Sequence, residues 1–180
     1  MYPIIEVQHD APAGHDVESF EVKVARVCSE HLDAGRAKAF AFVFASFEDG
    51  ITQGVLTDHV CNRELHRLSG AELTIFFLWS NMYRATVENF NEVMMGKLGL
   101  PPDQKLPCIV FFRVEDGKAR RIEAVSLAED WLRGYQVLRQ SVELFLAGEQ
   151  QAAYLDDVEF KDIPVQDLTR KLLDTFSAAR

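Results

Sequence analysis

The sequence predicts an α/β fold, a three-layer α/β/α sandwich around a mixed sheet of four to five strands. Two runs, Ala39–Ala45 and Leu73–Trp79, are almost wholly apolar, which indicates strands covered by helices on both faces. Segments with apolar residues at spacings of three and four alternate with these runs and predict the covering helices. A third apolar strand begins at Pro107, and the Asp116-Gly117 pair after it predicts a hairpin into a fourth strand.

One domain with two extensions accounts for a length of 180 residues. Residues 1–35 are expected to form an arm and a helix, residues 36–148 the core, and residues 149–180 an extension with a helix. The apolar stripes of the outer helices, Asp16–Leu32 and Val165–Phe176, need cover from the core or from a second subunit. A homodimer is one way to provide that cover.

The composition argues against several classes of function. Acidic residues outnumber basic ones by 28 to 19, so neither nucleic acid nor an anionic membrane is an expected partner. The N-terminal residues lack the basic and apolar regions of a secretory signal, and three widely spaced cysteines do not suit a disulfide framework. We therefore expect a cytoplasmic protein, and no motif in the sequence calls for a cofactor or a metal.

The first core helix is expected to follow a loop at Ser46–Gly54, with Thr57 as its N-cap. Its apolar face is expected to consist of Val60, Cys61, Leu65 and Leu68. These side chains would pack on one face of the central strands.

The later helices show clearer signals at their ends. Thr86 is expected to cap the second core helix, and Asp130 to begin a long helix that ends at Gly148. The inward face of that long helix is expected to carry Leu132, Tyr135, Leu138, Val142 and Phe145. A short strand at Val158–Phe160 and a helix that begins at Pro164 are expected in the C-terminal extension.

This order of elements, with Leu106-Pro107 at the mouth of the third strand, resembles the thioredoxin fold over about residues 36–148. The resemblance implies a cis peptide bond before Pro107, lying against a redox Cys-x-x-Cys motif. It also implies that this motif follows the first central strand, after an aromatic residue.

The sequence departs from the thioredoxin pattern at the redox motif. When Phe47 is set at the aromatic position, Glu48 and Ile51 stand where the two sulfurs would be. No cysteine lies between Cys28 and Cys61, so a small shift of the alignment does not restore the motif. Dithiol chemistry needs a thiolate and a resolving partner, and we do not expect it here.

A single-cysteine enzyme, such as a peroxidase or a glutathione-linked enzyme, is an alternative with Cys108 or Cys61 as nucleophile. Both residues also suit a structural role, because free cysteine often packs as a small apolar side chain. Cys61 falls on the apolar face of a helix and Cys108 in an apolar strand. A low thiol pKa needs a nearby cation or a helix N-terminus, and near Cys108 the sequence supplies only Lys105.

The remaining candidate site is a groove at one end of the sheet. In the thioredoxin fold this groove accepts an extended peptide through the backbone before the proline. The resemblance therefore implies a redox-inactive protein that binds another polypeptide, as an adaptor, a chaperone-like protein or an assembly factor. The predicted partner-binding residues are Phe47, Glu48, Asp49, Gly50, Leu106 and Pro107. A small-ligand module at the same groove is a further alternative, in which Glu48 and Asp49 favour a cationic or amine ligand.

Overall fold

The computed structural model describes residues 2–6, 37–46, 48–80, 84–148 and 163–168. Three predicted features lie outside the described residues: the helix Asp16–Leu32, the short strand Val158–Phe160, and the C-terminal helix beyond Leu168.

A mixed sheet of six strands forms the centre of the described structure. The strands are β1 (Tyr2–Glu6), β2 (Ala39–Phe44), β3 (Leu73–Ser80), β4 (Cys108–Glu115), β5 (Lys118–Ser126) and β6 (Ile163–Pro164). Their spatial order is β1-β3-β2-β4-β5-β6. Strands β1, β3 and β2 run parallel, and the pairs from β2 to β6 are antiparallel. The predicted α/β class with a mixed sheet is confirmed.

Four helices accompany the sheet in the described part of the chain. They are α1 (Gly50–Thr57), α2 (His59–Ser69), α3 (Arg84–Lys97) and α4 (Trp131–Ala147). Asp130 caps α4 by accepting a hydrogen bond from the backbone N–H of Arg133, and Gly148 ends it in the left-handed conformation, φ 73°. Among the described helices, none combines the length and apolar character needed to cross a bilayer.

The predicted beginnings of two helices are wrong. Helix α1 begins at Gly50, within the segment predicted as a loop, and Asp58 instead of Thr57 caps the helix that follows. The Asp58 carboxylate accepts hydrogen bonds from the backbone N–H groups of Val60 and Cys61, at 2.8 and 3.0 Å. A carboxylate in this position satisfies two helix-end donors at once, so it competes successfully with the neighbouring hydroxyl.

The first turn of α3 also differs from the prediction. The helix begins at Arg84, so Thr86 lies inside it and is not its cap.

Two side chains predicted to face the core are exposed. Val60 keeps 74% of its surface and Leu132 keeps 54%. Each lies one position from the residue that faces inward, Cys61 in α2 and Trp131 in α4. Because successive residues of an α-helix are rotated by about 100°, adjacent positions cannot share one narrow face.

The sheet extends beyond the predicted limits of the core, and the predicted strand count of four to five is too low. Strand β1, from the predicted arm, pairs with β3, and the two-residue strand β6 pairs with the start of β5. Pairing of an edge strand depends on a partner far along the chain, which local sequence patterns do not reveal.

Alternation along β2 divides the core into two layers. Phe40, Phe42 and Phe44 lie on the face covered by α3, whereas Ala39, Ala41 and Val43 lie on the face covered by α1, α2 and α4. All six side chains are buried. Because successive strand residues point to opposite faces, a strand that is apolar throughout contributes to both layers of the core.

Four phenylalanine rings form a stack across three neighbouring strands. Phe42 lies 5.1 Å from Phe76 of β3 and 5.8 Å from Phe112 of β4, measured between ring centroids. Phe40 lies 5.7 Å from Phe112 and 6.4 Å from Phe76. Each aromatic pair adds about 0.5–1.5 kcal/mol beyond the burial of its area, so this stack holds the three strands together.

Helices α1 and α4 approach so closely that glycine is required at the contact. A Cβ atom at Gly54 would lie 2.8 Å from Cε3 of the Trp131 ring in α4, and one at Gly134 would lie 2.6 Å from Cδ1 of Ile51 in α1. Both distances are shorter than the separation of about 3.5–4.0 Å between carbon atoms in van der Waals contact. The two glycines therefore allow the helices to pack at this separation.

We expect Gly54→Ala to destabilise the protein by about 1–3 kcal/mol, because the added methyl group meets the Trp131 ring. Gly96→Ala is the matched control, since it is also a helix position but a Cβ there has no atom within 4 Å. The control should gain up to about 1 kcal/mol through helix propensity. Urea unfolding followed by circular dichroism measures both changes. A Gly54→Ala variant as stable as Gly96→Ala would contradict the assigned contact.

Candidate functional site

A groove of about 650 Å³ lies between α3 and residues 100–106, which lead into β4; we call it the α3 groove. Ser46, which follows β2, lines it at one end. The apolar part of the lining consists of Met95, Leu100, Pro101, Pro102 and Leu106. Its volume falls within the range of about 300–1,000 Å³ typical of ligand sites.

The wall of the groove follows from the way α3 ends. Gly99 has a φ of 77°, and the N–H of Leu100 donates to the carbonyl of Met95 at 3.0 Å. The N–H of Gly99 donates to the carbonyl of Gly96 at 3.3 Å. These two bonds form a Schellman motif, which turns the chain back over the helix. Leu100, 6% exposed, is thereby buried against the core, and the prolines after it prevent further helix.

A buried amide sets the position of α3 over the sheet. The Nδ2 atom of Asn91 donates a hydrogen bond of 2.8 Å to the carbonyl oxygen of Ala45, at the end of β2. Asn91 is 6% exposed and lines the groove. The sequence analysis missed this residue, although an asparagine one position from Phe90 in the apolar stripe of α3 was an available signal.

Leu106 and Pro107 form the edge of the groove next to β4. The peptide bond between them is cis, and the Pro107 carbonyl accepts a hydrogen bond of 2.8 Å from Leu127. The Leu106 side chain is half-buried against the core and lines the groove. For its backbone N–H and C=O we find no hydrogen-bond partner among the described residues. Leu106 therefore offers both an apolar side chain and free backbone groups.

The two acidic residues predicted to bind a partner, Glu48 and Asp49, both contact other residues of this chain. The Asp49 carboxylate accepts a hydrogen bond of 2.6 Å from the N–H of Ser46, and the N–H of Asp49 donates to the Ser46 carbonyl at 3.1 Å. Glu48 forms an exposed ion pair of 3.0 Å with Arg84. Neither acid lines the α3 groove.

The other predicted site residues occupy different surroundings. Pro107 is buried behind Leu106, and Phe47 lies outside the described residues. Gly50 begins α1 and lines a second, shallower cavity of about 450 Å³ beside Trp131. Of the five predicted partner-binding residues that the structure describes, only Leu106 lines the α3 groove.

Both described cysteine thiols are buried and weakly acidic. Burial raises the pKa of Cys108, which has no exposed surface, to about 12. Burial, with the nearby Asp58 charge, raises the pKa of Cys61 as well. Although Cys61 lies in the first turn of α2, the Asp58 carboxylate already accepts from its N–H. The features that lower a reactive thiol's pKa are therefore missing around both sulfurs.

A polar cluster between α2 and α4 has a packing role. The Tyr135 hydroxyl donates to Glu64 at 2.6 Å, and Arg139 pairs with the same carboxylate at 3.4 Å. Burial and the hydrogen bond to Glu64 raise the pKa of Tyr135, so its hydroxyl stays protonated and holds the two helices together. Within the described ranges, no group of three or more His, Cys, Asp or Glu residues is placed to hold a metal ion.

Comparisons with family models, with curated proteins and with solved structures return no match to this chain.

We expect the two buried thiols to be almost inert to a thiol reagent in the native protein. Raising the pKa of Cys108 from 9.0 to about 12 lowers its thiolate fraction at pH 8 by about a thousandfold. A Cys28→Ser background removes the one cysteine outside the described residues. Labelling rates with and without urea measure the effect. Fast reaction of either thiol in the native protein would contradict the assigned burial.

The same shift predicts a pH dependence of stability. The folded chain keeps the Cys108 proton up to a pKa of about 12, whereas the unfolded chain releases it near 9.0. Unfolding therefore releases a proton above that lower value, so the free energy of unfolding falls as pH rises between the two values. Cys108→Ala should remove this contribution. Urea titrations across alkaline pH should show a shallower decline for the variant, and identical slopes would contradict the shift.

Proposed function

We propose that this protein is a redox-inactive member of the thioredoxin-like superfamily that binds an extended segment of another polypeptide in the α3 groove. It would act as an adaptor, a chaperone-like protein or an assembly factor. The observation that carries the proposal is the juxtaposition at Leu106 of free backbone groups and an apolar groove. A partner strand can pair with such a backbone while its alternate side chains enter the groove.

The order of the elements supports the superfamily assignment. From β2 to α4 the described chain runs strand, helix pair, strand, helix, two-stranded hairpin and helix. The first helix after β2 begins at Gly50. It therefore begins between Glu48 and Ile51, the two positions at which the resemblance implies cysteines.

The surroundings of the thiols favour a redox-inactive protein. Ile51, at a predicted sulfur position, is fully buried in the core. Neither Cys61 nor Cys108 lines the α3 groove, and the pKa of each is raised by burial. A thiol-dependent peroxidase or glutathione-linked enzyme needs an accessible thiolate, so these observations count against that alternative.

The amine-binding alternative loses its main support as well. Glu48 pairs with Arg84, and Asp49 accepts from the Ser46 backbone, so both predicted carboxylates already have partners. A peptide fits the groove better than an amine, since most of the exposed lining is apolar and a backbone edge adjoins it. Binding of a small apolar molecule is left as an outcome of the test.

The proposal has two further features, a cytoplasmic setting and a homodimer. A reducing cytoplasmic setting suits a chain whose described cysteines, Cys61 and Cys108, are free. The homodimer stays a prediction, because the outer helices that suggested it lie almost entirely outside the described residues.

We expect peptides selected from a random display library to bind the parent protein and to lose about tenfold or more in affinity with Leu106→Asp. A charge at this position opposes burial of an apolar side chain in the groove. Gly96→Phe is a second variant, because a side chain there enters open space beside the groove without meeting core atoms. Fluorescence anisotropy with labelled peptides measures each affinity.

Val60→Asp is the matched control. It places the same charge on an exposed residue of α2, on the opposite face of the sheet, and should leave affinity unchanged. Thermal unfolding of each variant establishes that it is folded. Peptides that bind Leu106→Asp and Gly96→Phe as tightly as the parent would overturn the groove assignment. The assignment would also fail if small apolar molecules stabilised the protein in a thermal-shift screen while the library yielded no peptide.

A further inference from the structure

Resting on the proposed function, we infer that the α3 groove selects extended segments in which a lysine or arginine lies two residues from the apolar residue, on the same face, and that Glu92 recognises this cation. The inference concerns the chemistry of the partner. It follows from a comparison of the polar groups in the groove that already form hydrogen bonds or ion pairs with those that do not.

The two neutral amides that line the groove use three of their four side-chain N–H donors. Asn91 donates through Nδ2 to the Ala45 carbonyl at 2.8 Å. Gln104 donates through Nε2 to the Lys105 carbonyl at 3.0 Å and lies 3.3 Å from the Ser126 hydroxyl. The polar groups left to a ligand are therefore mainly acceptors, and a ligand that supplies donors fits them.

Both charged residues in the lining are acidic, and they differ in their partners. Glu88 pairs with Arg84 at 2.7 Å, and Arg84 also bridges to Glu48. Glu92 is exposed and has no ion-pair partner among the described residues. One turn of α3 separates the two acids, so they share a face, and Glu92 is the uncompensated charge on it.

The position of Glu92 specifies where the cation would lie. Met95 is three residues further along α3, and side chains three apart on a helix are neighbours at about 5–6 Å between Cβ atoms. Met95 and Leu106 are partly buried against the same core layer. In an extended segment, an apolar side chain seated on these two residues would therefore bring the side chain two positions along, which shares its face, to the Glu92 carboxylate.

The overall charge acts in the same direction. The chain carries a net charge of −9, which attracts basic segments and repels acidic ones over distances of about one Debye length. The exposed loop beside the groove is neutral in sum, with Asp103 and Lys105 of opposite sign. The local acidic residues on α3 are therefore not cancelled by that loop.

The test starts from peptides of the random library whose binding falls with Gly96→Phe, since these occupy the groove. We expect lysine or arginine two positions from an apolar residue to be enriched in them. Glu92→Lys should weaken their binding by about three- to tenfold, and Glu92→Gln by less, because reversal adds repulsion to the lost attraction. Raising the salt concentration should shrink both effects. Selection on Glu92→Lys itself should enrich aspartate or glutamate.

Glu72→Lys is the matched control, because it makes the same charge change at an exposed residue on the opposite end of the sheet. It should leave binding within about twofold of the parent. Groove-dependent peptides without basic enrichment, or with equal losses in Glu92→Lys and Glu72→Lys, would overturn the inference and leave the proposed function standing. Failure to find any peptide that depends on Gly96 would instead overturn the proposed function.

Discussion

The stack of Phe40, Phe42, Phe76 and Phe112 is the contact on which the rest of the structure depends. It joins β3, β2 and β4 on one face of the sheet, and helix α3 covers it through Phe90, whose ring centroid lies 6.3 Å from that of Phe42. Because strand residues alternate, the three phenylalanines of β2 leave Ala39, Ala41 and Val43 on the opposite face, which α1, α2 and α4 cover. Of the four named helices, α3 is the one that forms the surface above the stack.

Two sets of backbone and amide hydrogen bonds give that surface the shape of a groove. Asn91 ties α3 to the end of β2, and the Schellman motif at Gly99 returns the chain over the helix to Leu106. A buried amide bond to a strand carbonyl is strongly directional, and leaving that carbonyl without a partner costs about 1–3 kcal/mol. The groove therefore has a defined width, and the backbone of Leu106 stands at its edge.

The same alternation explains why neither described thiol lines the groove. Cys108 directly follows the cis-proline, yet it stands opposite Phe44 in the sheet and joins the aromatic layer. Its thiol is thereby removed from water, which favours the neutral form. What the groove presents is apolar surface, backbone groups and the carboxylate of Glu92. In the proposed function, these are the features that would recognise the shape and charge of a segment.

Short-range signals were enough to predict the central strands, the Asp116-Gly117 turn and the limits of α4 between Asp130 and Gly148, because each depends on residues a few positions apart. Only the tertiary structure decided that β1 and β6 join the sheet, that Asn91 reaches the end of β2, and that Glu48 pairs with Arg84. Each of these depends on a partner far along the chain. A local pattern specifies how a segment folds, whereas its place against distant segments is set by packing that no short stretch of sequence contains.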